Sequence, residues 1–322
     1  MRRVLITGAT GFVGGHLAAL LGSEVDVVLH GTMRHEPAVK PSDQSPIARS
    51  HSHVGNLTDA TFADDVVKDV RPDWIVHLAA QSSVTASWRD PAATLTNNLI
   101  AQLNVLESVV RHVPKARVLV VGSSEEYGRV REQDLPLAES APFRPDSPYA
   151  VSKLAQDYLG LQYHLGRHLD VVRVRPFNLI GPGQADQFVV PSFARQIAEA
   201  EAGRRPQVIE VGNLEARRDF TDVRDAVRAY RLVLERGTSG EVYNVGGGTA
   251  RSVRDLLDCL CVMASCPLEI KIDPARFRPS DAPIIQCDNR RIRHDLGWEP
   301  EIPIERTLGD ILDEWRRRVA GG

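Results

Sequence analysis

The sequence predicts an α/β protein: a doubly wound parallel sheet followed by a smaller C-terminal α/β domain. Three observations predict it. Strand-length apolar runs alternate with stretches of helical period through the first half, a glycine-rich turn follows the first run, and the rhythm loosens after Pro176. The 322 residues, 43% hydrophobic and 25% charged, suit one large domain or two unequal ones.

The first apolar run, residues 4–6, follows Met1-Arg2-Arg3 and is too short for a secretory signal, and no stretch of about eighteen apolar residues occurs, so a soluble cytoplasmic protein is expected. Residues 25–29, 74–78, 118–121 and 171–174 repeat the pattern and read as strands buried on both faces. Between them, residues 16–21, 61–67, 97–110 and 148–164 carry apolar side chains at helical spacing. Beyond Pro176, a Gly/Pro segment at 181–183 precedes a helical stretch at 188–202 and a strand-like run at 208–211. We therefore expect a first domain at 1–176 and a second at 177–322. Residues 241–245 are β-rich and closed by three glycines. They would return to the first sheet through a segment near 221–248, so that the domains interleave.

A net charge of −3 offers no reason to expect a nucleic acid or an anionic membrane as partner, which leaves a small molecule. Cys259, Cys261, Cys266 and Cys287 lack paired CxxC spacing and read as reduced structural thiols. His164 and His168 are four apart on an expected helix, but no third ligand accompanies them and no metal is expected.

The turn after the first strand reads Thr7-Gly8-Ala9-Thr10-Gly11-Phe12-Val13-Gly14-Gly15. Gly8 and Gly11 let backbone approach a pyrophosphate, Gly14 lets helix and strand pack closely, and the following helix N-terminus offers N–H donors, which is the physics of a Rossmann-type dinucleotide site. An acid about twenty residues on would grip the ribose of NAD. None is there: the second strand ends His30-Gly31-Thr32-Met33-Arg34. Thr32 and Arg34 can take a 2′-phosphate instead, which favours NADP(H) with NAD(H) as the alternative.

Tyr149 and Lys153 lie one helical turn apart and share a face. An ammonium beside a phenol is expected to lower its pKa from about 10 toward the working range of a general acid. Ser123-Ser124-Glu125-Glu126-Tyr127-Gly128 stands where a central strand ends, the edge at which open α/β sheets bind ligands. Ser123, with Ser124 beside it, can hydrogen-bond a substrate oxygen and Glu125 can act as a second acid/base, or these residues simply cap the strand.

Gly8 to Gly14, Ser123 and the Tyr149/Lys153 pair resemble the extended short-chain dehydrogenase/reductases that modify nucleotide sugars. The resemblance spans essentially the whole chain, supported by His77-Leu78-Ala79-Ala80-Gln81 and Asn178-Leu179-Ile180-Gly181-Pro182-Gly183. It implies that Tyr149 is the general acid, that Lys153 holds the nicotinamide ribose and that Ser123 orients a keto oxygen. Leu78, Ala79, Ala80 and Asn98 would line the cofactor path, with Asn56 and Leu57 at the adenine. On the substrate side it implies Asn178, Arg218 and Arg278 at a diphosphate, Asp281 at the ribose, and Val190, Asn213 and Leu214 around a guanine. The segments around Ser123, 212–222 and 278–281 are most similar to members acting on GDP-linked hexoses, so reduction of the C4 keto group of a GDP-linked 6-deoxyhexose is expected. Dehydratases of this kind are longer and carry an Arg-rich extension after the second strand, absent here. A dehydratase or epimerase remains the alternative, ahead of a non-enzymatic cofactor sensor. The resemblance also implies a homodimer joined through the helices at 97–110 and 148–164.

Overall fold

The computed structural model describes residues 1–35, 51–277 and 282–321. Its strands are β1 (Arg2–Thr7), β2 (Val27–Met33), β3 (His51–Val54), β4 (Trp74–His77), β5 (Arg117–Val121), β6 (Asp170–Pro176), β7 (Asn178–Ile180), β8 (Val208–Val211), β9 (Arg217–Asp222), β10 (Val242–Val245), β11 (Ala250–Ser252), β12 (Glu269–Ile272) and β13 (Ile284–Ile285). Its helices are α1 (Phe12–Gly22), α2 (Ala60–Val70), α3 (Val84–Arg89), α4 (Pro91–His112), α5 (Pro148–Arg167), α6 (Val189–Glu201), α7 (Val223–Arg236), α8 (Val253–Val262), α9 (Arg290–Leu296) and α10 (Ile304–Gly321).

Seven strands form one parallel sheet in the order β10-β6-β5-β4-β1-β2-β3. Alternate side chains leave opposite faces, so each strand feeds two cores. Val4, Ile6, Leu119, Val172 and Val174 pack with Leu17, Leu21, Tyr230 and Val233 of α1 and α7. Leu5, Ile75, Val118, Val120 and Val171 pack with Val67, Val105, Leu106 and Tyr163 of α2, α4 and α5. A third core joins α6, α8 and α10 through Ile197, Leu257, Leu308 and Leu312, beside short sheets in which β7, β11 and β13 contact β9, and β12 pairs with β8.

The second strand departs from its expected place. Val25 lies outside β2 and is 94% exposed, because the chain turns after α1 and enters the sheet only at Val27. β3 carried no apolar run to announce it: His51-Ser52-His53-Val54 is an edge strand, where one side needs no hydrophobic cover.

Candidate active site

The parallel arrangement brings the carboxyl ends of β1, β2, β4 and β5 to one edge of the sheet. Gly8 leaves β1 with φ at +69°, and a side chain there would stand 3.1 Å from the Ala79 backbone. At Gly14 a Cβ would meet the Gly8 carbonyl at 2.3 Å, so helix and turn approach each other more closely than any other residue permits. Gly11 is the N-cap of α1 and supplies no side-chain acceptor. The first amides of α1 are thus available to a ligand, with the positive end of the helix dipole behind them.

A cleft of 240 Å³ opens over this turn. Of the expected cofactor residues, Gly8, Thr10, Gly11, Thr32, Arg34, Asn56, Leu57, Leu78, Ala79 and Ala80 line it. Phe12 and Val13 belong to the first turn of α1, where Phe12 meets the His16 ring edge to face. The Thr32 hydroxyl accepts the Gly8 amide at 3.4 Å and so braces the turn. Arg34 donates to the Asn97 side chain at the cleft wall.

Asn98 lies behind the residues that line the cleft. It is fully buried: its Oδ1 accepts the Gln81 amide at 2.7 Å and its Nδ2 donates to the Ser152 hydroxyl at 2.9 Å, which ties α4 to α5. One residue earlier on the helix, Asn97 faces the cleft instead, together with Met33, Gly55 and Ala101, none of which the sequence reading named.

Ser147 caps α5 by accepting the Ala150 amide at 3.1 Å, and Pro148 occupies the first turn. This start sets Tyr149 and Lys153 beside the end of β5. Lys153 is 5% exposed, and its ammonium donates to the Val121 carbonyl at 2.5 Å and to Gln156 Oε1 at 2.9 Å. Burial lowers it to about 8, opposed by the Asp157 charge. The Tyr149 phenol receives a hydrogen bond from Ser123, yet it stands well above the ordinary tyrosine range. Burial is the main cause, and the Glu125 charge adds to it. The lowering of this phenol by Lys153 expected from the sequence is therefore corrected: the ammonium is engaged by the β5 carbonyl and by Gln156, and burial prevails.

Ser123 begins a 3-10 turn, Ser124–Tyr127, and its hydroxyl accepts the Glu125 amide at 3.2 Å. It is thus both a cap and a partner of Tyr149. Ser124 is buried in the same turn, whereas Glu125 is half-buried on it.

The substrate side is less unified. Asn178 lies on β7 and Arg218 on β9, where the guanidinium donates to the Ala282 carbonyl at 2.7 Å. Asn213 accepts the Glu215 amide in a local turn. Val190 and Leu214 are both buried in the third core, because α6 and the segment before β9 turn their apolar faces inward. Arg278 and Asp281 lie outside the described residues.

Residues 5–311 match the family model described as GDP-mannose 4,6 dehydratase. The chain is 38% identical over 318 residues to the GDP-6-deoxy-D-mannose reductase of Pseudomonas aeruginosa, covering 99% of this chain and 98% of that protein. It is 28% identical to a GDP-mannose 4,6-dehydratase of Sinorhizobium fredii, over 96% of this chain and 95% of the relative. A solved structure of RMD from Pseudomonas aeruginosa complexed with NADPH superposes with a TM-score of 0.84 at 36% identity, covering 99% of this chain and all of that one.

Proposed function

Because this chain belongs to the GDP-mannose 4,6 dehydratase family, we propose that it reduces the C4 keto group of GDP-4-keto-6-deoxy-D-mannose, giving GDP-D-rhamnose, with NADP(H) as its cofactor. The glycine turn, the open amides of α1 and the cleft over them fit the dinucleotide, and Arg34 supplies a cation for a 2′-phosphate. NADPH held there supplies the hydride for C4.

The single observation that carries this reading is the 38% identity, over 99% of the chain, to a GDP-6-deoxy-D-mannose reductase, in a chain whose Tyr149 and Lys153 share α5 at the end of β5. Reduction turns the C4 carbonyl oxygen into an alkoxide, a base strong enough to take a proton from a phenol that is not pre-ionised. Oxidation of a C4 hydroxyl, the opening step of a dehydratase, needs the phenolate instead. Tyr149 thus gives its proton to the C4 oxygen and Ser123 orients that oxygen, while Lys153, one helical turn on, would hold the nicotinamide ribose. A second reading, the dehydratase, draws on Glu125, a carboxylate close enough for its charge to bear on Tyr149 and so available as a base for a C5 proton.

The two separate by stoichiometry. GDP-4-keto-6-deoxymannose is expected to consume NADPH one to one, followed by absorbance, while GDP-mannose leaves the NADPH signal unchanged. NADPH left unoxidised by the keto sugar, with GDP-mannose converted to that keto sugar instead, overturns the reductase in favour of the dehydratase, which returns its hydride and consumes no NADPH.

The homodimer is part of the same proposal. Val151, Tyr158 and Leu165 stand seven residues apart on α5 and are 43%, 50% and 66% exposed, one apolar stripe, with Ile100 of α4 and Trp88 of α3 also exposed. Such a stripe on paired helices suits burial against its own copy.

A further inference from the structure

Glu126 is fully buried in the 3-10 turn that follows β5. A carboxyl group in that setting needs partners. Its Oε1 accepts the Ser123 backbone amide at 2.7 Å. Gly122 makes room for it, since a Cβ there would lie 2.3 Å from that oxygen. Its Oε2 receives no hydrogen bond: it lies 3.1 Å from Arg175 Nε, but that N–H is directed to Asp157 Oδ2 at 2.6 Å.

Facing it across the same Arg175 Nε is the Asp157 carboxyl, so the two acids share one guanidinium. Two buried carboxyl groups over one guanidinium favour a single shared charge. Asp157 is ion-paired to Arg173 and Arg175, each at 2.6 Å, so it keeps the charge and Glu126 keeps the proton. The Oε2 that receives nothing is therefore itself the donor. Burial, with the Asp157 charge behind it, raises Glu126 well above the carboxylate range, in agreement. Asp157 stands on α5 one turn beyond Lys153 and two beyond Tyr149.

We propose that Glu126 is a positioning residue: its carboxyl group bridges the Ser123 amide on the β5 turn and Asp157 on α5, and so fixes the Ser123 hydroxyl against the Tyr149 phenol. This rests on the reading of Ser123 and Tyr149 as the pair that meets the C4 oxygen.

Glu126→Gln retains both ends of the bridge, a carbonyl oxygen for Ser123 and an N–H for Asp157, whereas Glu126→Leu keeps the volume and loses both. With NADPH and the 4-keto sugar nucleotide, E126Q is expected to keep kcat within about threefold of wild type, and E126L to lose about 10²-fold in kcat with KM for NADPH unmoved. Hydrogen exchange of the segment holding Ser123 is expected to stay slow in wild type and E126Q and to become fast in E126L. A fall in E126Q as deep as that in E126L, or wild-type kcat in E126L, overturns the bridge. Should E126L fail to bind NADPH or lose its helical circular dichroism, Glu126→Asp replaces it: its shorter arm reaches one partner only, and wild-type kcat there overturns the proposal. If the wild-type enzyme leaves NADPH unoxidised with the keto sugar, the substrate reading fails on its own. The exchange arm then decides the bridge, which unchanged protection in the folded Leu or Asp variant overturns.

Discussion

Lys153 is held between the Val121 carbonyl and Gln156 in a place that water barely reaches, and this desolvation works against its charge. Its ammonium, lowered to about 8, is present below that pH and lost above it. The phenol, raised by burial, stays protonated throughout. Activity limited by the ammonium is thus expected to fall as pH passes about 8, and Lys153→Met to abolish that limb, leaving a low and flat profile of kcat/KM. Tyr149→Phe is expected to bind NADPH and sugar nucleotide normally while kcat drops by about 10²–10⁴-fold; equal turnover removes Tyr149 from the mechanism. Arg34→Ala is expected to raise KM for NADPH about tenfold and leave KM for NADH alone. Tyr149 and Lys153 were legible in the sequence because four residues on a helix bring side chains together whatever surrounds them. Their ionisation was not, since it depends on burial and on carboxylates from another element. Glu125 and Glu126, adjacent in sequence, show why: one is half-buried and the other completely enclosed, and neither composition nor spacing tells them apart.

At the scale of elements, the junction of β1 and α1 was readable because its demands are local. Gly8 needs a positive φ, and Gly14 needs the absence of a Cβ. Gly14→Ala is expected to cost about 1–3 kcal/mol in stability by overpacking and to raise KM for NADPH, measurable by denaturant unfolding and initial rates. The phase of α4 was less accessible. Asn97 and Asn98 are equivalent on paper, and only the seating of α4 against α5 decides that Asn98 is consumed in bonds to Gln81 and Ser152 while Asn97 faces the cleft. Val190 and Leu214 were ambiguous for the same reason, because an apolar residue suits a base pocket and a core equally well.

For the whole molecule, the glycine cradle and the C-terminal helix are physically linked. His16 of α1 meets the Pro182 carbonyl at 2.8 Å, and the next amide, of Gly183, donates to Glu314 of α10 at 2.6 Å. The stripe on α5 is expected to hold two copies together: Tyr158→Glu combined with Leu165→Glu should give a monomer by sedimentation equilibrium, and an unchanged dimer would place the interface elsewhere. The sequence by itself determined the doubly wound sheet, the dinucleotide turn and the tyrosine–lysine pair, because each follows from a short-range period or from the steric freedom of single residues. Which polar side chains face the cleft, which are spent inside the protein, and which of two neighbouring acids keeps its proton were decided only by the tertiary structure. Those outcomes depend on desolvation and on partners that lie far away along the chain.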